Sequence, residues 1–133
     1  MAITLNHTIV PSKDKVAAAE FISRIMGLPY EGLHGHFAPV RINDSLVMDF
    51  ADSDDVDLWK DENGHFARQH YAFKVTEEEL DAVFGRILAS GVKYGSAPGP
   101  KLYDMQINHN RGGRGVYFDE LNGHSIELLT VSH

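Results

Sequence analysis

The chain has 133 residues, with 12 basic against 19 acidic side chains, a formal charge of −7 and no cysteine. That length supports one domain with a real core, and the missing cysteines exclude disulfide scaffolds, thiolate metal sites and cysteine nucleophiles. An acidic balance without a basic run argues against nucleic acid or an anionic membrane as partner, and no apolar stretch approaches a membrane span.

The opening MAITLNHTIV has no basic n-region and no long apolar h-region, so we expect no signal peptide and a cytoplasmic protein. His7 lies inside a short strand-like run in which Leu5, His7 and Ile9 share a face. A helix should follow, capped by Ser12, with Ala18, Phe21, Ile22 and Ile25 on its apolar face and Gly27 as its left-handed stop. Three short strands then fit Tyr30–Leu33, His36–Ile42 and Ser45–Phe50, the last two divided by the Asn43-Asp44 turn. The polar, acidic stretch Ala51–Arg68, with Trp59 as its largest apolar side chain, reads as a connector.

The pattern then repeats. His70 opens a second strand, and Phe84 follows it by fourteen residues, as Phe21 follows His7. Thr76 and Glu79 form a capping-box pair, Leu80, Val83, Phe84, Ile87 and Leu88 make one helical face, and Gly91 can end the helix. Strands are expected near Lys93–Tyr94, Met105–Asn108, Gly115–Phe118 and Ser125–Val131. The chain therefore reads as one domain, 1–133, built of two βαβββ modules, roughly 1–60 and 65–133.

Alternation along a strand places His70, Ala72 and Lys74 on one face, and Ser125, Glu127 and Leu129 on another. If the helices cover the Tyr71/Phe73/Val75 and Ile126/Leu128 faces, His70 and Glu127 point away from them, and the repeat puts His7 there too. A lone histidine in an apolar strand is ordinarily a satisfied core residue. Two at equivalent repeat positions, with a carboxylate, match a 2-His-1-carboxylate set for a divalent ion. His34 and His36, bracketing Gly35, read as pocket rim or surface, and His65 as part of the connector. Gly112-Gly113, between Arg111 and Arg114, reads as a loop able to cover a pocket.

Paired βαβββ modules with His7 and His70 on their opening strands, the strand Q-H-Y-A-F-K-V and the closing R-G-V-Y-F-D-E-L-N-G-H-S-I-E-L-L together resemble the vicinal oxygen chelate superfamily. That superfamily includes glyoxalase I, the bleomycin- and fosfomycin-resistance proteins and the extradiol ring-cleaving dioxygenases. The resemblance covers nearly the whole chain. It implies an α+β fold whose modules form a half-open β-barrel, around a divalent metal held by His7, His70 and Glu127. Fe(II) or Mn(II) is favoured, with Zn, Ni and Mg as alternatives. Asp49 is the candidate fourth ligand. The run from His109 through Val116-Tyr117 and the Glu120–Gly123 turn to Glu127 leans toward the ring-cleaving dioxygenases, with Leu121 where proline is usual. His109 and Tyr117 are then the expected catalytic residues, one exchanging protons and the other hydrogen-bonding a catechol-like small molecule. His124 is expected to be structural.

The alternatives are a glyoxalase-type lyase or isomerase with Asp49 as base, a fosfomycin-resistance-like thiol transferase, and a metal-free bleomycin-type binding protein. The thiol transferase is weakened by Ile9 near the first histidine. The binding protein would depend on Phe37, Trp59, Tyr103 and Tyr117 rather than on histidines. Superfamily habit also implies a homodimer.

Overall fold

The computed structural model describes residues 3–54, 60–63 and 65–132, so Trp59 and His133 lie outside the described residues. The residues up to Ala67 form one compact unit and those from Arg68 form a second. Among the described residues no helix is long and apolar enough to cross a membrane.

The first unit runs β1 (His7–Ser12), α1 (Lys15–Met26), β2 (Phe37–Arg41) and β3 (Val47–Asp52). The strand order is β1-β3-β2, with β1 parallel and β2 antiparallel to β3. Val10, Ala38, Val40, Met48 and Phe50 lie fully or almost fully buried on one sheet face, with Ala18, Ala19 and Ile22 of α1 also buried. Period-2 alternation therefore sends His7, Ile9, Pro39, Val47 and Asp49 to the other face. The expected strand Tyr30–Leu33 survives only as isolated bridges, Tyr30 with Val40 and His34 with Phe37.

The cap of α1 is Asp14, which accepts from the Ala17 N–H at 3.1 Å, and not Ser12. Ser12 still belongs to β1, opposite Asp52, and its hydroxyl donates to the Val10 carbonyl. Strand pairing holds Ser12 in β1, and the next competent side chain takes the cap. Gly27 ends the helix in the left-handed conformation, φ 68°.

The second unit runs β4 (His70–Lys74), α2 (Glu77–Ser90), β5 (Tyr94–Gly95), β6 (Gly115–Asp119) and β7 (Ser125–Leu129). This is a complete βαβββ module, with strand order β4-β7-β6-β5. Val116, Phe118, Ile126 and Leu128 of the sheet, and Leu80 and Ile87 of α2, are fully buried. Phe84 stands edge-on to Tyr94 with ring centroids 5.2 Å apart. Leu88, at the end of the predicted apolar face, is 54% exposed. The strand expected over Met105–Asn108 does not form. Asp104 accepts from the N–H groups of Ser96 and Gln106, and Met105 turns to φ 57°, which breaks the extended run before Asn108 bridges Gly115.

Both parts of the α2 capping box are present. The Glu79 N–H donates to Thr76 Oγ1 and the Thr76 N–H donates to Glu79 Oε1. We expect Thr76→Ala to lower unfolding stability by about 1 kcal/mol in a urea titration, with an unchanged denaturant slope.

Candidate active site

The second unit assembles a polar cluster on the sheet face turned away from α2. Parallel pairing sets His70 opposite Ser125 and Ala72 opposite Glu127, while antiparallel pairing sets Tyr117 opposite Glu127. His70, Glu127 and Tyr117 therefore share one face. His70 Nε2 lies 3.0 Å from Glu127 Oε1, donating to it, and the His70 and Tyr117 rings stack with centroids 6.0 Å apart. The Glu127 carboxylate also acts on the neighbouring Tyr117 hydroxyl.

The residue Glu127 is only 6% exposed, whereas the His70 side chain is 48% exposed. A carboxylate buried this far costs several kcal/mol unless a cation answers it. A phenol brings no charge, and an imidazole brings one only by taking up a proton. The spacing also fits an ion. Two ligand atoms each about 2.1 Å from a metal and at right angles stand about 3 Å apart. The donor pair thus fits a divalent cation in both chemistry and separation.

The strand carrying His70 is set by the turn that precedes β7. Glu120 is buried, and its carboxylate accepts from the N–H groups of Asn122 and His124. His124 is fully buried and its Nδ1 accepts from the Gln69 N–H at 2.8 Å. Its ring therefore anchors the backbone one residue before His70. Leu121, which stands where the family usually has proline, is exposed, and Glu120 holds the turn.

Two tyrosines on this face are shifted. Burial and the neighbouring Glu127 push Tyr117 up to about 12, against the pull of the Arg111 guanidinium. Burial and Asp119 likewise push Tyr103 well above its ordinary value, and its hydroxyl donates to Asp119 Oδ1 at 2.7 Å. Asp119 follows Tyr117 by two residues on the same strand face. The Tyr103–Asp119 pairing was not read from the sequence, although that alternation is the signal that places Asp119. Of the two loop arginines, Arg114 is committed to Glu77 and Asp81 of α2, at 2.8 Å each. Arg111 is exposed and adopts φ 56°. His109 is exposed in the loop leading to the short 3-10 turn Asn110–Gly112.

The first unit repeats the geometry with other chemistry. His7 is opposite Val47 and Ile9 opposite Asp49, so Asp49 stands to His7 as Glu127 stands to His70. Pro39 holds the place of Tyr117 and offers no hydroxyl. A cavity of about 320 Å³ is lined by Asn6, His7, His34, Pro39, Arg41 and Asp49. The Asp49 carboxyl is raised above its ordinary value by burial, with His7 and His34 pulling it down. His34 thus lines the His7 cavity. It is held there by reciprocal backbone hydrogen bonds with Phe37 around Gly35, φ 60°. Within either unit, no third described histidine or carboxylate completes a ligand group of three.

Both shifted phenols stay protonated well past the range of free tyrosine. A phenol whose folded value is raised lends stability that is whole below its unfolded value near 10 and is lost as pH climbs through the folded value. In an absorbance titration of the five tyrosines we expect two late transitions. Tyr117→Phe should remove the one near 12.

No family model matches the chain, and a search of curated proteins finds no match. Solved structures do match. Oxidase ChaP-H2 is 41% identical, covering 100% of this chain and 97% of its own, with a TM-score of 0.85. Oxidase ChaP-H1 is 38% identical, covering 98% of each chain, with a TM-score of 0.83. Lactoylglutathione lyase from Agrobacterium tumefaciens is 19% identical, covering 96% of this chain and 92% of its own, with a TM-score of 0.68, a likeness of fold alone. With its α+β units, its paired His-carboxylate registers and these neighbours, the chain belongs to the vicinal oxygen chelate superfamily, the glyoxalase, bleomycin-resistance and dioxygenase group.

Proposed function

We propose that the chain is a divalent-metal-dependent enzyme that uses O2 to open the ring of a catechol-like small molecule. His7, His70 and Glu127 would hold the ion, with Fe(II) or Mn(II) the fitting choices. The observation that carries this reading is the His70–Glu127 pair, 3.0 Å apart with the carboxylate buried. It is supported by the two neighbours at 41% and 38% identity, both named as oxidases. When bound, such an ion supplies a Lewis acid and an electron donor.

The remaining roles belong to the chain's own side chains. Tyr117, pushed up to about 12, is protonated at neutral pH. Its hydroxyl is therefore a hydrogen-bond donor to a substrate oxygen and not a base. Its ring, stacked near that of His70, fixes where that donor points. His109 is the proton acceptor: an imidazole exchanges protons near neutral pH, and a catechol must lose protons to bind through both oxygens. Exposure of His109 leaves it open to substrate and solvent, as a proton carrier requires.

Protein loaded with Fe(II) should consume O2 in the presence of a catechol panel. Elemental analysis should show that Glu127→Gln and His7→Ala lose metal. His109→Ala should retain metal while turnover falls about 100-fold. Unchanged turnover in His109→Ala removes that residue from the mechanism, and catechol-independent metal loading without O2 uptake removes the ring-opening reading.

A second reading, isomerisation or lysis of the glyoxalase type, is favoured by Asp49, whose raised carboxyl suits proton abstraction. Turnover that persists without O2 and disappears in Asp49→Asn would select it.

A further inference from the structure

The second unit contains a cavity that the His70–Glu127 face does not use. It measures about 470 Å³ and lies among the C-terminal end of α2, β5 and the 100–105 segment. Its walls include Leu88, Val92, Tyr94, Tyr103 and Met105, and Lys93 also lines it. Neither His70, Tyr117 nor Glu127 is among its lining residues.

Three features distinguish this hollow from loose packing. Leu88 and Met105 are 54% and 70% exposed, so apolar surface is left in water on two of its walls. The wall is also preformed. The Met105 N–H donates to the Tyr94 carbonyl, and Asp104 accepts from both the N–H and the hydroxyl of Ser96. Gly95 permits that approach, because a Cβ there would lie 2.7 Å from the Tyr103 Cα. Finally, Lys93 makes no ion pair among the described residues, in a chain of net charge −7.

We propose that this cavity is a second binding site, for a flat, largely apolar small molecule that carries an anionic group. The volume lies in the range of small-molecule sites. Tyr94 and Tyr103 supply aromatic walls, Leu88, Val92 and Met105 supply apolar contact, and Lys93 is the cation that answers the anion. The site also reaches the catalytic face. The Tyr103 ring borders the cavity while its hydroxyl holds Asp119, two residues from Tyr117. The proposal does not depend on the metal or on the reaction.

The probe is 1-anilinonaphthalene-8-sulfonate, with uncharged N-phenyl-1-naphthylamine as its control. Fluorescence titration of the folded full chain should show one saturable site. Leu88→Asp should weaken sulfonate binding about tenfold, and Lys93→Gln about threefold. Lys93→Gln should leave binding of the uncharged control unchanged. Both positions are exposed, so neither variant should disturb folding. Amide shifts on adding the probe should concentrate at residues 88–94 and 103–105. Shifts centred instead on 70, 117 and 127, or binding unaffected by both substitutions, would overturn the proposal. So would absence of probe binding together with a change of oligomeric state in Leu88→Asp, which would mean that a second copy covers the cavity.

Discussion

The polar face of the second sheet depends on one buried carboxylate. Glu127 lies on a central strand of the second sheet, with His70 on one neighbouring strand and Tyr117 on the other. Its burial is answered by the His70 ring, whose Nε2 lies 3.0 Å from Oε1. Burial of Tyr117 itself, with the Glu127 charge beside it, keeps that phenol protonated and therefore a donor. The cluster therefore joins a histidine–carboxylate pair and a phenol donor, all set by strand register and not by loops.

Register also explains how duplication produced unequal halves. Each unit pairs its opening strand in parallel with its last strand, and each places a histidine and a carboxylate two positions apart across that pairing. The partner position on the next strand is Pro39 in one unit and Tyr117 in the other. The backbone thus repeats a frame, while single side chains decide which half carries a proton donor. His34 and Arg41 beside His7 and Asp49 give the first unit a distinct set of polar groups.

Around this frame, several polar residues are structural. Glu120 and His124 accept hydrogen bonds from backbone N–H groups that shape the turn and seat the strand leading into His70, in keeping with the structural role expected of His124. Arg114 is likewise occupied, by Glu77 and Asp81 on the first turns of α2. Removing these from the pool of reactive side chains leaves His70, Tyr117, Glu127, Tyr103, Asp119 and Arg111 on or beside the face, with His109 exposed in the loop before Arg111.

Much of this was legible before any coordinates. The helices were readable because periodicity and caps are local: Thr76 with Glu79, and Gly27 and Gly91, act within one turn of their own positions. The shared face of His70 and Glu127 followed from alternation within each strand together with the assumption that the helices cover the apolar faces. Tertiary structure decided what depends on pairing between distant segments. It moved the α1 cap from Ser12 to Asp14, because β3 extends β1, and it broke the expected strand at Met105 through the Asp104 turn. It set the depth of Glu127, the partnership of Tyr103 with Asp119 and the placing of His34 beside His7. Burial and long-range contact are properties of packing, and no short window of residues contains them.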